Sequence, residues 1–263
     1  MHLDDIDNDL LAGHCGPASA AAMGLLVRYG RALGARRFIS VTRAHIDGCM
    51  YHGESGIDFA QRFVDLGGEV RVPTTLNATA VDCLHPELHR GEPSLPERQQ
   101  LLTTLYTRLG CRPTLTCAPY QRRSRPAVGE QIAWAESNAI VFANSVLGAR
   151  TDRYGDFTDL CAALTGRVPL AGLHLQENRR ASVEVAVPSL EETALSRDLH
   201  FGCIGYLLGA YCGIRVPAVT GLPADATEDE LKLLGAAAAS SGSLALFHAV
   251  GVTPEADSLA QAS

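Results

Sequence analysis

Lysine is nearly absent from this chain of 263 residues. Lys232 is the only lysine, and every other residue in the combined count of lysine and arginine is an arginine. Schiff-base catalysis needs a lysine amine, so Lys232 is the one position at which it could occur. That residue lies in the charged segment 227–232, which is typical of an exposed helix. Elsewhere in the chain, catalysis through a lysine amine is excluded.

The chain also lacks a long basic run and any apolar run long enough to span a bilayer. Its acidic beginning, MHLDDIDND, is unlike a signal peptide. The formal net charge of −7 argues against a general nucleic-acid binder. We therefore expect a cytoplasmic protein that binds neither membrane nor nucleic acid.

No CxxC pair occurs among the eight cysteines. Their spacing matches neither a zinc finger nor a ferredoxin, so a metal site would have to combine residues that are distant in sequence. A cytoplasmic chain of this size keeps its thiols reduced, and most free cysteines are small core residues. We expect no disulfide bonds and predict that most of these side chains are buried.

The residues that are present favour an α/β fold. With 46% hydrophobic and 19% charged residues, the chain suits one globular region over residues 1–263 or two closely packed α/β subdomains. Helical and strand patterns alternate along the chain, which predicts layered α/β architecture. Changes in composition predict a subdomain boundary near 85–95 or 170–190.

Polar residues follow two predicted strands. A strand over residues 38–42 leads into a loop with His45 and Asp47, and a later strand leads into Thr74 and Thr75. Loops at the carboxyl ends of strands hold the chemistry of many α/β proteins, and an imidazole near a carboxylate can move protons. We predict that His45 and Asp47 are catalytic and that the two threonines bind substrate. The alternatives are a structural histidine and a hydrogen-bonded turn.

The segment 114–155 combines a strand, a loop and a helix. Its pattern predicts a strand over Leu115 to Cys117, an arginine-rich loop, and a long helix from about Val128. An uncharged polar stripe on that helix, including Ser137 and Asn138, predicts side chains that bond something specific in a half-buried place. Two alternatives stay open: an ordinary core helix, and a helix that begins only at Ser137.

Cys15 precedes Gly-Pro-Ala at the start of another predicted helix. A thiol at the positive end of a helix dipole would suit the nucleophile of a cysteine hydrolase, because the dipole favours the thiolate. The alternative is a packing role at the start of the helix, which is the usual role of a cysteine. We favour the packing role.

Several collinear motifs together resemble one known family. They are CAPYQ, GEQIAWAESNAIVFANSVLGARTDRYGDF, AHIDGC, VPTTLN, ALTGRVP, FGCIGYLLG and SSGSLALFHAVGVTPEA. The set closely resembles the large, catalytic subunit of the aconitase X family, and it covers nearly the whole chain. The resemblance implies a layered, aconitase-like α/β/α architecture. It also leads us to expect that the C-terminal part of the family fold is missing after TPEADSLAQAS.

The resemblance further implies an iron-dependent dehydratase. Members of the family remove water from small hydroxy acids with an iron or iron–sulfur centre. Cys117, in the motif TCxPY, matches one cluster thiolate, whereas Cys203 stands where the family tolerates apolar residues and is predicted to be buried. A small swivelling domain, fused or on a separate chain, closes over the cluster. Nothing in this chain resembles that domain, so we expect a small swivel-domain subunit as a partner.

The expected substrate is a small hydroxy acid. The motifs AHIDGCMYHGESGIDFA and IAWAESN resemble the bacterial branch, which converts cis-3-hydroxy-L-proline to Δ1-pyrroline-2-carboxylate. The archaeal branch, which dehydrates mevalonate 5-phosphate, is the alternative. A phosphate would need a cationic cradle or a glycine-rich turn at a helix start, and no such loop is evident. Ser137 and Asn138 are predicted to bind the substrate together with Thr74 and Thr75.

Overall fold

The computed structural model describes residues 1–82, 84–123 and 125–263. The chain divides into two compact units that alternate along the sequence. The first unit contains Met1–Pro119, Ile132–Glu136 and Tyr154–Ala171, and the second contains Tyr120–Gln131, Ser137–Arg153 and Gly172–Ser263. Each unit is described by itself below, and the predicted subdomain boundary stays a prediction.

Helices and strands alternate through the described residues, as the sequence predicted. The helices are α1 (Asp5–Leu11), α2 (Pro17–Ala32), α3 (Glu54–Asp65), α4 (Leu95–Arg108), α5 (Ser137–Ser145), α6 (Asp156–Thr165), α7 (Arg197–Cys212), α8 (Glu228–Ser241) and α9 (Leu259–Ala262). The strands are β1 (Phe38–Ser40), β2 (Ala44–Ile46), β3 (Thr74–Leu76), β4 (Ala133–Trp134), β5 (Arg167–Pro169), β6 (Val183–Ala186), β7 (Pro217–Thr220) and β8 (His248–Ala249).

A parallel three-stranded sheet, ordered β3-β2-β4, lies in the first unit. Its register pairs His45 with Thr75 on one side and with Trp134 on the other. Since all three strands run the same way, the residues that follow them leave the sheet at the same edge. β1 and β5 form a separate antiparallel pair.

Apolar side chains from α2, α6 and the strands make the core of the first unit. Met23 and Leu26 of α2 and Leu160 and Leu164 of α6 are each 0% exposed. Burying a side chain of this size contributes about 1.5–3 kcal/mol relative to leaving it in water. This core fixes α6 against the β2 and β4 strands, because α6 packs on both as well as on α2.

The second unit contains the parallel sheet β6-β7-β8 and the helix pair α7 and α8. The two helices cross closely at Gly205, where a Cβ atom would lie 2.2 Å from the carbonyl oxygen of Leu234. Any larger residue would therefore force the two helices apart. The buried residues of this core include Phe201, Leu234 and Phe247.

The predicted long helix from Val128 is wrong. Gly129 has a positive φ of 75°, and Ala133 pairs with Ala44 as part of β4. The buried apolar residues that suggested a helical face before Ser137, Ile132 and Ala135, therefore flank a strand. The alternative, a helix that begins at Ser137 and leaves Glu136 outside it, is the one observed.

Three further predictions need correction. The predicted strand over residues 38–42 ends at Ser40, and His45 lies inside the next strand rather than in a loop. No strand forms over Leu115 to Cys117, where Leu115 has a positive φ of 48°. Cys203, predicted to be buried, is exposed on α7, whose outer side also exposes Leu207 and Tyr211.

The described cysteines otherwise follow the prediction that most are buried. The buried cysteines are Cys49, Cys111, Cys161 and Cys212, and the exposed ones are Cys15, Cys117 and Cys203. Cys83 lies outside the described residues. Over the described ranges, no helix combines the length and the apolar character that crossing a bilayer requires.

Candidate active site

Asp47 and Asn77 meet at the carboxyl edge of the parallel sheet in the first unit. Asp47 directly follows β2 and Asn77 directly follows β3, so the parallel register brings them side by side. The Asn77 side-chain amide donates a hydrogen bond to the Asp47 carboxylate. Asp47 is half-buried, so the residue as a whole keeps some contact with solvent.

The surroundings of Asp47 favour its protonated form. Burial raises the pKa of the Asp47 carboxyl, and the hydrogen bond from Asn77 opposes that rise. The negative charge of Asp156 also raises this pKa, whereas His52 lowers it. A carboxyl group whose pKa lies above its usual value is better matched to proton transfer near neutral pH than an ordinary surface aspartate.

The backbone beside Asp47 is held by Asp159 of α6. The N–H groups of Asp47 and Gly48 donate to Asp159 Oδ2 at 2.8 and 3.3 Å, and the Leu160 N–H donates to Oδ1 at 2.5 Å. Asp159 is 0% exposed, and burial raises its pKa well above the usual value. A Cβ atom at Gly48 would lie 2.5 Å from the Asp156 carbonyl oxygen, so only glycine permits this close approach.

His45 is enclosed in β2 and is 0% exposed. Its Nδ1 lies 2.8 Å from the Thr75 hydroxyl oxygen, and Nε2 makes no hydrogen bond to the part of the chain that the structure describes. Burial lowers the pKa of His45 to about 3, and the Thr116 backbone acts weakly in the opposite direction. The imidazole is therefore neutral at physiological pH. Its predicted catalytic role stays a prediction.

The two threonines of β3 make different contacts. Thr74 is 1% exposed, and its hydroxyl donates to the Val72 carbonyl oxygen at 2.8 Å. Thr75 is partly buried and is hydrogen bonded to His45. Both hydroxyls therefore have protein partners, and the predicted binding of substrate by these residues stays a prediction.

Cys117 lies near two carboxylates, those of Glu136 and Asp47. Its side chain is exposed, yet partial burial of the sulfur raises the pKa of the thiol, and the negative charge of Glu136 raises it further. The Ala78 backbone opposes this rise, while Asp47 adds a smaller increase. Negative charge around a thiol disfavours the thiolate in the apoprotein, and a bound cation would offset that effect.

Cys117 fits one ligand position of an iron or iron–sulfur centre. Cys117 is an exposed thiol beside carboxylates, which suits a metal ligand. However, no group of three or more His, Cys, Asp or Glu side chains that could hold a metal ion occurs within residues 1–82, 84–123 and 125–263.

Ser137 and Asn138 begin α5 in the second unit, directly after Glu136 in sequence. The Asn138 amide donates to the Tyr120 hydroxyl at 2.7 Å, and the Tyr120 ring stacks on Phe142 with centroids 3.8 Å apart. The structure thus shows where these two predicted substrate-binding residues lie, but their role stays a prediction.

The rest of the uncharged stripe on α5 is structural. The Asn144 amide donates to the carbonyl oxygens of Thr151 and Ala245, both at 3.0 Å, and Ser145 Oγ accepts the Phe247 N–H at 2.9 Å. These buried side chains therefore satisfy backbone groups of the second unit, as the core-helix alternative expected.

Sequence reasoning missed Gln99 and Asp159, which accept hydrogen bonds from the backbone of the loops that carry Asp47 and Asn77. Gln99 falls at a core position of α4, in line with Leu102 and Leu105, and Asp159 begins the apolar run of α6. A polar residue within an apolar helical face is the signal that could have found them, since buried polar groups are bonded to something specific.

Cys15 is exposed ahead of α2 and borders a cavity of about 420 Å³. The cavity is lined by Cys15, Gly16, Ala18, Ser19 and residues 67–71, and none of these is a histidine. The geometry therefore offers no imidazole base on the cavity wall to activate the thiol, which a cysteine hydrolase would need.

Comparison with known proteins gives consistent matches along the chain. The model of the aconitase X first domain matches residues 1–177, and that of the aconitase X second domain matches residues 181–263. A cis-3-hydroxy-L-proline dehydratase of Pseudomonas aeruginosa is 47% identical over 99% of this chain and 44% of its own length. One from Hypocrea jecorina is 46% identical over 100% of this chain and 44% of its own length.

A phosphomevalonate dehydratase large subunit of Thermococcus kodakarensis is 40% identical over 97% of this chain and 63% of its own. The crystal structure of Thermococcus kodakaraensis aconitase X in its holo-form matches with a TM-score of 0.88 and 38% identity. This match covers 98% of this chain and 64% of that one. The chain thus spans less than half the length of the two hydroxyproline dehydratases. The predicted aconitase-like fold is confirmed, and the chain belongs to the aconitase X family.

Proposed function

We propose that this chain is the catalytic region of a hydro-lyase that dehydrates cis-3-hydroxy-L-proline. The observation that carries the substrate is sequence identity over the whole chain. It is 46–47% to the two cis-3-hydroxy-L-proline dehydratases and 34–40% to the phosphomevalonate dehydratase large subunits. Asp47 supplies the acid–base group that such a reaction needs, and its surroundings raise the pKa of its carboxyl.

The reaction removes a proton and a hydroxyl group from neighbouring carbons. The bond between C2 and its hydrogen breaks, its electrons form the C2=C3 double bond, and the C3–O bond breaks as the hydroxyl leaves with a proton as water. The resulting enamine tautomerises to Δ1-pyrroline-2-carboxylate. We assign the proton transfer at C2 to Asp47, because the pKa of its carboxyl is raised and the residue is only partly buried.

Other residues of the chain would bind or orient. The hydrogen bond between Thr75 and His45 links β3 to β2, the strand that directly precedes Asp47. Ser137 and Asn138 stay our candidates for binding the amine or carboxylate of the substrate. Thr74 is the weakest of the proposed substrate-binding residues, because its hydroxyl already bonds a backbone carbonyl.

Cys117 would be the ligand that this chain contributes to an iron or iron–sulfur centre. When bound, such a centre supplies Lewis-acid assistance to the departing hydroxyl group. We also propose a small swivel-domain partner. Relatives described as large subunits of a dehydratase support it, since a large subunit implies a smaller one.

Two alternatives remain. Dehydration of mevalonate 5-phosphate is supported by the identity to phosphomevalonate dehydratase large subunits. A cysteine hydrolase built on Cys15 is supported only by the position of that thiol ahead of α2.

The test is turnover by the full-length protein, prepared anaerobically with iron and with its small subunit. We expect conversion of cis-3-hydroxy-L-proline and little conversion of mevalonate 5-phosphate. Asp47→Asn should lower kcat by roughly 10²-fold or more. Asp58→Asn, which removes an exposed carboxylate of α3, is the matched control and should leave kcat unchanged. Turnover of the phosphate substrate alone would favour the alternative reaction, and turnover of neither would refute the proposal.

A further inference from the structure

Gln99 is a buried amide that uses both ends of its side chain. It lies on α4 and is 0% exposed. Its oxygen accepts the N–H groups of Tyr51 and Ala80 at 3.0 and 2.9 Å. Its nitrogen donates to the Cys49 carbonyl oxygen at 2.9 Å and to the Thr103 hydroxyl at 3.1 Å. An amide has two acceptor sites and two donor hydrogens, so this side chain is fully satisfied.

These partners belong to two different loops. Cys49 and Tyr51 lie in the loop after β2, which carries Asp47, and Ala80 lies in the loop after β3, which carries Asn77. The Gln99 amide is therefore one group that bonds the backbone of both loops. Its loop partners are close in sequence to the residues in contact. Cys49 is two residues after Asp47, and Ala80 is three residues after Asn77.

We propose that Gln99 is a positioning residue that holds Asn77 against Asp47 by bonding the backbone of the two loops that carry them. The proposal rests on the proposed function in that Asp47 is taken as the group that moves the proton. Gln99 itself touches no substrate. It acts through the hydrogen bond that Asn77 donates to Asp47.

Only an amide of this length can make the set of bonds. Leucine has a similar size but neither donor nor acceptor, so Tyr51 and Ala80 would lose their shared acceptor. Glutamate would keep an acceptor for these two N–H groups, but its second oxygen would face the Cys49 carbonyl oxygen. We therefore expect Gln99→Leu to separate the loops and Gln99→Glu to have a smaller effect.

The first experiment is structural and does not depend on activity. Crystal structures of the full-length protein would be compared with those of Gln99→Leu and of Gln100→Leu. Gln100 is the exposed neighbour on the same helix and is the matched control. We expect Asp47 and Asn77 to be out of hydrogen-bond contact in Gln99→Leu and in contact in Gln100→Leu. A retained contact in Gln99→Leu would overturn the proposal.

The second experiment measures turnover. A small misplacement of a catalytic group costs roughly 10²-fold in rate, so Gln99→Leu should lower kcat by about that factor with a smaller change in KM. Gln99→Glu should retain more activity, and Gln100→Leu should match the wild type. If Gln99→Leu does not fold, Gln99→Glu replaces it in both experiments and is expected to lower kcat and loosen the same contact to a smaller extent.

A double-mutant cycle separates positioning from general support. In an Asn77→Ala background the contact that Gln99 maintains is already gone, so Gln99→Leu should add little further loss in kcat. Full additivity of the two effects would contradict the proposal. If the wild type dehydrates neither substrate, the proposed function fails, and the crystal structures still decide whether Gln99 maintains the contact between Asp47 and Asn77.

Discussion

Replacing Asp159 with asparagine is the sharpest test of how the site is held. The side-chain oxygen of Asp159 accepts the N–H groups of Asp47 and Gly48. In Asp159→Asn, one side-chain atom is still an acceptor oxygen and the other becomes a donor nitrogen. This nitrogen faces either the Leu160 N–H or the two loop N–H groups, and donors meet donors in both orientations. At least one backbone N–H thereby loses its acceptor.

The cost follows from these contacts. Leaving a buried N–H unsatisfied costs about 1–3 kcal/mol, and the amide orientation that turns the nitrogen toward Leu160 leaves one N–H unsatisfied. Removing the buried carboxylate also removes its desolvation penalty, which offsets part of the loss. We therefore expect Asp159→Asn to lower the free energy of unfolding by about 1–2 kcal/mol. Asp58→Asn, at an exposed position on α3, should change it by less than about 0.5 kcal/mol.

Urea unfolding followed by tryptophan fluorescence would measure this difference. Trp134 is the only tryptophan of the chain and is 2% exposed in β4, beside the strand that leads to Asp47. Its signal therefore reports on the unit that contains the site. Equal stability of wild type and Asp159→Asn would refute the reasoning, because every backbone N–H that Asp159 satisfies would then have found another partner at no cost.

The pH dependence of the same variant gives a second measurement. Burial raises the pKa of Asp159 well above its usual value, and the backbone N–H groups oppose that rise. A folded carboxyl that keeps its proton to higher pH contributes stability below the unfolded pKa of about 3.9 and loses it as pH rises through the folded pKa. The variant does not titrate here, so its deficit relative to wild type should shrink as the pH rises above the unfolded pKa of about 3.9. A deficit that grows with pH would show that the N–H groups dominate instead.

The remaining predictions concern single side chains. Cys117→Ala should lose iron from anaerobically prepared full-length protein, and retention of iron by this variant would remove Cys117 from the centre. Cys15→Ala should keep nearly full dehydratase activity, because we assign this residue to packing at a helix start; loss of turnover with iron and fold intact would reopen the nucleophile hypothesis. Thr75→Val should destabilise the chain by about 1–3 kcal/mol in urea unfolding, because it leaves the buried Nδ1 of His45 unpaired. If kcat instead falls by roughly 10²-fold at unchanged stability, His45 takes part in proton transfer after all.

The sequence was sufficient for the fold class and for the edge of the sheet where polar residues gather. Alternating helical and strand patterns predicted α/β layers, and the position of Asp47 after a strand predicted its place at the carboxyl edge. These features depend on local periodicity and on the rule that parallel strands end together. Both can be applied without knowing which strands are neighbours.

The errors arose where periodicity was ambiguous. Ile132, Ala133 and Trp134 are buried and apolar, and a short apolar run fits a helix and a strand equally well. Pairing of β4 with β2 decided the outcome, and that pairing involves residues about ninety positions apart in the chain. His45 was misplaced for a similar reason, because the break between β1 and β2 depends on β1 pairing with β5 instead.

The pattern could mark the supporting side chains as polar residues on apolar helix faces but could not give their partners, because these side chains bond the backbone of distant loops. The loops after β2 and β3 leave the sheet, and their buried backbone groups must still be hydrogen bonded. Asp159, Gln99 and Tyr106 meet that need from two helices: Asp159 and Gln99 accept loop N–H groups, and the Tyr106 hydroxyl donates to the Gly48 carbonyl oxygen at 3.2 Å. Because these side chains satisfy the backbone, the Asp47 carboxylate is not needed for that purpose. Among the described residues its side-chain hydrogen bond is to Asn77 through Oδ1, and we propose that its other oxygen serves the substrate.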